Sequence, residues 1–421
     1  MRLIHTSDWH LGHMLRGEVG RELEHEAFLA WLLEQCAAEA ADALVITGDV
    51  FDTATPPASA ERMWFEFLAA ARRARPAMDI IAIAGNHDSP ARLGASSAVL
   101  RELGVHVIGG LPRAADGALD LDRILIPVAG GRGLVAAVPF LRPVDTPADV
   151  DDPLAAVYGD VVAAARERRA PDQALIVTGH LYVAGADAQF LSERRVSIGG
   201  QESAPLRLFP DEISYTALGH IHRPQRVGRD TIRYAGAPIA LSLDEVDYKH
   251  QALAIDFDGA RVAQIRALPV PRVIEIVRVP RRGAAPLAEV LDALRALPPA
   301  TETSDERSAA ERGRSPRGID PMRPFLEVVV ALERPEPKLR ALVEAALEGR
   351  RARLVYLHVE QTGDRATLGD RVAMQRLAEL DPRDVFVRLW ARGHAEPPGE
   401  AVLAAFDRLL SEVSGDVEDL A

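Results

Sequence analysis

A chain of 421 residues with 48% hydrophobic and 26% charged residues has the composition of a soluble globular protein, long enough for two or three domains with their own cores. Its net charge of −13 argues on its face against a nucleic-acid partner, although carboxylates that hold cations count as negative when the loaded site is not. A single cysteine, Cys36, excludes an internal disulfide framework, and no apolar run approaches the roughly 18–20 residues that cross a bilayer.

The chain opens directly on a strand pattern with no signal peptide in view, so a cytoplasmic location without membrane attachment is expected. Basic residues are almost all arginine, with lysine only at Lys249 and Lys338. Arginine suits bidentate phosphate contacts, but a G+C-rich coding sequence explains the same bias and the abundant alanine.

Five short apolar runs share one design. "RLIHTS" leads into Asp8 and His10, "ALVITG" into Asp49 and Asp52, and "IIAIAG" into Asn86 and His87. "ALIVTG" leads into His180, and "YTALG" into His220 and His222. Their length, β-branched content and following turn signals predict buried strands. Between them, "RELEHEAFLAWLLEQCAAEAA", "SAERMWFEFLAAARRAR" and "PLAAVYGDVVAAARERR" carry helical periodicity. Strands alternating with helices predict an α/β core, with ligands bound beyond the carboxyl ends of the strands.

After about residue 270 the texture changes. "RVIEIVRVP", "PLAEVLDALRAL", "PFLEVVVAL", "PKLRALVEAALEG" and "ARLVYLHVE" predict a small β-α-β-α-β domain over 271–360. A polar insert near 298–324 interrupts it, too poor in apolar residues to fold alone, and is expected to be a mobile loop. Residues 361–421 hold two helical patterns around "DVFVRLW", a tail that packs on its own chain or clasps a partner.

Taken singly, "DWH" and "GDVFD" read as turns, and an isolated His-x-His as surface or satisfied core. Five such elements, each closing an apolar run, point together to one site. Asp8, His10, Asp49, Asn86, His180, His220 and His222 form a mixed nitrogen and oxygen set without thiolate, which suits Mn²⁺, Fe²⁺ or Zn²⁺. Seven ligands are too many for one ion and about right for two, roughly 3.5–4 Å apart. Asp49, after Gly48 on a central strand, is the natural bridge. His13 is near enough to the first motif to line the cleft. His5, His25, His106, His250, His358 and His394 read as core or surface. Neither lysine is followed by Ser or Thr, so the chain has no phosphate-cradling loop for ATP.

D-x-H, G-D-x-x-D, G-N-H-D, G-H and G-H-x-H in this order resemble the calcineurin-like metallophosphoesterase superfamily. The flanking text "TSDWHLG", "GDVFDTATPP", "GNHDSP", "YTALGHIHRPQ" and "RYAGAPIALSLDE" resembles more narrowly the nuclease subunits of bacterial SbcCD complexes. The motifs cover roughly residues 1–250. This resemblance implies an α/β/β/α sandwich over 1–270, an α+β capping domain over 271–360 that helps to bind DNA, and a helical partner-binding region over 361–421. It implies one ion, most simply Mn²⁺, on Asp8, His10, Asp49 and His222, and a second on Asp49, Asn86, His180 and His220.

In such nucleases His87 is catalytic and not a ligand, either donating a proton to the leaving oxygen or stabilising the transition state. Asp88 orients His87 or a ligand. Asp52 stands where archaeal relatives carry a histidine; being anionic, it makes no phosphate contact and takes a supporting place. The implied activity is double-strand exonuclease and single-strand endonuclease cleavage, in DNA repair. The implied partners are DNA and an SMC-like coiled-coil ATPase of SbcC type, with a homodimer inside a heterotetramer. The alternative reading of the same ligands is hydrolysis of a small nucleotide or cyclic phosphodiester.

Overall fold

The five apolar runs become five strands: β1 (Arg2–Thr6), β2 (Ala43–Thr47), β3 (Asp79–Ile83), β7 (Ala174–His180) and β8 (Tyr215–Gly219). The computed structural model describes residues 1–362 apart from 18, 148–149, 188–202 and 301–321; beyond 362 it describes only 386, 390, 398–399, 402–403 and 405–406. Most of the expected polar insert and of the C-terminal tail therefore lies outside the described residues.

Two six-stranded sheets face each other. The first runs β12 (Arg261–Pro269), β11 (Gln251–Asp258), β1, β2, β3, β4 (Val105–Ile108), and the second runs β9 (Gln225–Val227), β10 (Arg229–Tyr234), β8, β7, β6 (Gly133–Ala136), β5 (Leu125–Val128). β1 to β4 pair in parallel, as do β6, β7, β8 and β10. β11 returns antiparallel onto β1, pairing Arg2 with Asp256, so the first strand of the chain is internal.

Alternation along each strand divides its side chains between two cores. Leu3, Val45, Ile81 and Ile83 point between the sheets, where they meet Ile176, Tyr215 and Ala217. Ile4, Leu44 and Ile46 point outward, against Phe28 of α1 (Glu22–Ala38) and Trp64 and Phe67 of α2 (Ala58–Ala74). α2 buries Ala60, Met63, Trp64, Phe67, Leu68 and Ala71, one stripe of the helical repeat. On the far side Leu175, Val177 and Leu218 meet Val157, Tyr158 and Val161 of α3 (Pro153–Arg168). Each fully buried large apolar side chain contributes roughly 1.5–3 kcal/mol. The result is an α/β/β/α sandwich.

A third sheet is built from β13 (Ile276–Val279), β14 (Ala285–Pro286), β15 (Phe325–Leu332) and β16 (Arg353–Gln361), and its described pairs are all parallel. α4 (Leu287–Arg295) and α5 (Leu339–Ala346) cover one face, with Val290, Leu294 and Val343 against Leu326, Val328 and Val330. The chain divides into two compact units, Met1–Thr362 and Gly363–Ala421. Within the second, Phe386 stacks on Phe406 at 4.2 Å, and Trp390 lies 5.8 Å from Phe386.

Candidate metal centre

The carboxyl ends of β1, β2, β3, β7 and β8 converge on one rim, and the backbone there leaves its ordinary conformation. Asp8 (φ 53°), His10 (φ 47°), Asp49 (φ 46°) and His220 (φ 94°) all have positive φ. Such residues cost of order 1–3 kcal/mol each and persist only where the surroundings hold them. Here Asp8 N–H donates to Gly48 O and His10 N–H to Asp49 O, both at 3.0 Å. Gly48 has φ 90°, and a methyl group at Gly85 would lie 2.1 Å from Asp49 Oδ1. Both glycines are required where two strand ends approach this closely.

Every anticipated ligand reaches this rim. Asp49 Oδ2 lies 3.5 Å from His10 Nε2 and 3.2 Å from His180 Nε2, so one oxygen stands between two groups of donors. Asn86 Oδ1 is 3.0 Å from both His180 Nε2 and His220 Nδ1. Ligand atoms of Asp8, His10 and His222 fall within 4.8 Å of one another, and so do those of Asp8, Asp49 and His180. Donor atoms 3.0 Å apart, as around Asn86 Oδ1, are close enough to share one cation with bonds of about 2.1 Å.

The polar groups behind these atoms decide which ring nitrogens face inward. His180 Nδ1 donates to Thr47 O at 2.9 Å, His10 Nδ1 meets Asp52 Oδ1 at 3.2 Å, and His222 Nδ1 meets Glu245 Oε1 at 3.0 Å. Each leaves Nε2 for the centre, the usual arrangement of a metal-ligating imidazole. His10 Nε2 and Asp8 Oδ2 are fully buried without a hydrogen-bond partner, a costly state that a cation would resolve. Burial alone would lower His180, but the Asp49 carboxylate outweighs it and pushes the imidazole up to about 9. Burial works to raise Asp49, while His180 and His10 hold it well below the usual range. His220, by contrast, is pushed down to about 3 by burial and the neighbouring His180. Carboxylate, amide and imidazole atoms gathered this closely form a donor set that fits divalent cations.

His87 donates its backbone N–H to Asp49 Oδ1 at 2.9 Å, and its Nδ1 lies 2.7 Å from Asp52 O. The ring packs edge-on against His10, with centroids 4.8 Å apart. The Asp88 carboxylate is spent on backbone donors and not on the His87 ring. Its oxygens accept from the backbone N–H groups of Val50, Phe51 and Gly85, so it ties the loop after β2 to the loop after β3. Burial and then Asp49 push Asp88 up to about 6, against those three donors. Asp52 supports His10 and also accepts from His13 Nδ1 at 2.8 Å; these histidines outweigh burial and lower its pKa.

Two supports escaped the sequence reading. Glu245 is fully buried and, with burial opposing, is held at about 2 by His222. It closes the motif text "APIALSLDE", a signal that an acidic residue follows the last histidines, but its partner is a matter of tertiary contact. His5 sits between the sheets with Nδ1 2.9 Å from Tyr215 Oη and Nε2 3.0 Å from Thr47 Oγ1, beneath the carbonyl that holds His180.

Residues 1–224 match the family described as Calcineurin-like phosphoesterase, and residues 271–393 match one described as Type 5 capsule protein repressor C-terminal domain. A Rhodobacter capsulatus protein named as a subunit of nuclease SbcCD is 40% identical over 373 residues, which cover 85% of this chain and 87% of that one. Proteins of the same name from Escherichia coli K12 and Bacillus subtilis 168 are 34% and 38% identical over 289 and 269 residues. They cover 64% and 61% of this chain, and 68% and 66% of their own lengths.

Proposed function

We propose that this chain, which belongs to the calcineurin-like phosphoesterase family and is similar along most of its length to nuclease subunits of SbcCD, is a two-metal DNA phosphodiesterase. The observation that carries the reading is Asp49 Oδ2, standing between His10 Nε2 and His180 Nε2. Asp8, His10, Asp49 and His222 would hold one divalent ion, and Asp49, Asn86, His180 and His220 the other. Mn²⁺ suits a set of imidazoles, carboxylates and one amide without thiolate. Bound there, such ions supply Lewis-acid polarisation of a phosphodiester and activation of a water molecule.

The chain's own residues then do the following. Asp49 and Asp8 compensate positive charge, while neutral Asn86 adds an oxygen without adding repulsion toward an anionic substrate. Asp52 O fixes the His87 ring through Nδ1, which leaves Nε2 for the substrate. From there His87 holds a proton toward the departing 3′ oxygen, or donates to the charge that builds on phosphorus. Asp52 and Asp88 keep the ligand loops in register and touch no phosphate.

The Gly363–Ala421 unit is assigned to binding an SMC-like coiled-coil ATPase, and the third sheet with its helices to contacting DNA. With no phosphate loop for ATP, the chain depends on that partner for nucleotide-driven steps. The partner's surface also accounts for DNA affinity in a complex whose nuclease is acidic. A homodimer within a heterotetramer and a cytoplasmic location complete the proposal; among the described residues no helix is long and apolar enough to cross a membrane.

The test is Mn²⁺-dependent cleavage of a DNA hairpin and of double-strand ends, with the ATPase present, against hydrolysis of nucleotides and cyclic phosphodiesters. Cutting of DNA supports the proposal. Turnover of small phosphodiesters with DNA left intact replaces it with a small-substrate hydrolase.

A further inference from the structure

The support of His222 runs through a short loop after β10. Glu245 Oε1 meets His222 Nδ1 at 3.0 Å, and Glu245 Oε2 accepts from Leu241 N–H at 2.9 Å. The Leu241 carbonyl lies 2.8 Å from His13 Nε2. Residues 240–245 therefore carry the group behind His222 and one of two partners of His13.

This loop is gripped at Ala240. Its carbonyl accepts from Arg21 Nη1 at 2.6 Å, and Arg21 is only 1% exposed. The same guanidinium forks onto Glu24, through Nε and through Nη2 at 2.8 Å, and lies 5.3 Å from the centre of the Phe325 ring. Phe325 opens β15, in the third sheet. Around it Leu15, Val19, Leu243, Ile274, Phe325 and Val355 form one apolar cluster. Leu15 and Val19 belong to the hairpin that follows His10 and His13. One small core thus joins the metal-loop hairpin, the loop behind His222, and the small domain.

Stability alone does not account for Arg21. A buried ion pair is often replaceable by apolar residues of similar volume at no loss. What an apolar side chain lacks is the planar fork, which aims one N–H at Ala240 O while two others are fixed on Glu24.

We propose that Arg21 is a positioning residue for the Asp8, His10 and His222 half of the centre. Seated on Phe325, it holds residues 240–245 so that Glu245 aims His222, and the docking of the small domain thereby sets the affinity of that ion. The inference rests on the two-ion reading above.

Arg21→Lys and Phe325→Leu in the full chain test it, with Mn²⁺ followed by calorimetry and electron paramagnetic resonance alongside thermal unfolding. Arg21→Lys keeps the charge without the fork, and Phe325→Leu keeps apolar bulk without the ring. In both, one ion should bind as in the wild type and the other about 10–100-fold more weakly. The spin-coupled signal of a paired centre should give way to that of isolated Mn²⁺. kcat for a phosphodiester should fall with KM unchanged. Two ions at wild-type affinity in both folded variants overturn the proposal. So does equal weakening of both ions in step with a lowered unfolding midpoint, the mark of a structural role. Weakening in Arg21→Lys without it in Phe325→Leu overturns the small domain's share. A wild-type chain that binds fewer than two Mn²⁺ overturns the two-ion reading itself, and this inference with it.

Discussion

Asp49 shows how one side chain is made to serve two neighbours. Its Oδ1 is occupied by the His87 N–H, so Oδ2 alone faces both His10 and His180. Asp49→Ala should therefore release both ions, measured as bound Mn²⁺ per folded chain. His87→Ala should leave metal content intact while hydrolysis falls about 10²–10⁴-fold, the range of general acid assistance. Loss of an ion in that variant would make His87 a ligand, the role its closeness to His10 and Asp49 permits. Among the described histidines outside the centre, His5 and His25 are pushed down to about 3 by burial. Their ordinary value is 6.5, so from there down to about 3 the unfolded chain binds more protons than the folded one. Stability is then fully present above pH 6.5 and falls as pH drops toward 3, by about 2 kcal/mol per histidine at pH 5. Thermal unfolding of metal-free protein between pH 7.5 and 4.5 should show this, and His25→Leu should flatten the slope. An unchanged slope would mean that His25 takes up its proton as readily in the fold as in the unfolded chain.

The strands carry the design one level up. β2 is buried at all five positions because helices cover one face and the second sheet the other. Its apolar text was therefore legible as a strand, as were β1, β3, β7 and β8. The β11 and β12 return, from a segment assigned to no element on sequence grounds, was decided by the pairing of β11 with β1 and of β12 with β11. Strand ends are where packing is least forgiving. In Gly85→Ala the new methyl meets Asp49 Oδ1, and both ions should be lost with more than about 4 kcal/mol of stability. A cap distant from the centre offers the contrast. Asp152 Oδ1 accepts from Ala155 N–H at the start of α3, and Asp152→Ala should cost about 1 kcal/mol with Mn²⁺ binding unchanged. Melting curves and metal analysis on the same samples separate the two effects; equal metal loss in both would remove the claim that Gly85 acts on the centre.

For the molecule as a whole, the division at Thr362 separates a body that contains every proposed ligand from a C-terminal unit. Residues 1–362 expressed alone should bind two Mn²⁺ and hydrolyse a generic phosphodiester, yet fail to co-purify with the coiled-coil ATPase. Retained co-purification would place the partner's seat on the first unit. The seven proposed ligands and His87 stood out in the chain because each follows an apolar run, and strand identity is local: length, alternation and the next turn suffice. Local text could not reveal that the Asp88 carboxylate accepts from the backbone of two loops. Nor could it pair Glu245 with His222, or Arg21 with a carbonyl 219 residues away. Those contacts arise only when two sheets close on each other and the loops between them meet. The motifs told which strand ends share a rim, but spacing along the chain carries no trace of which side chains will meet behind it.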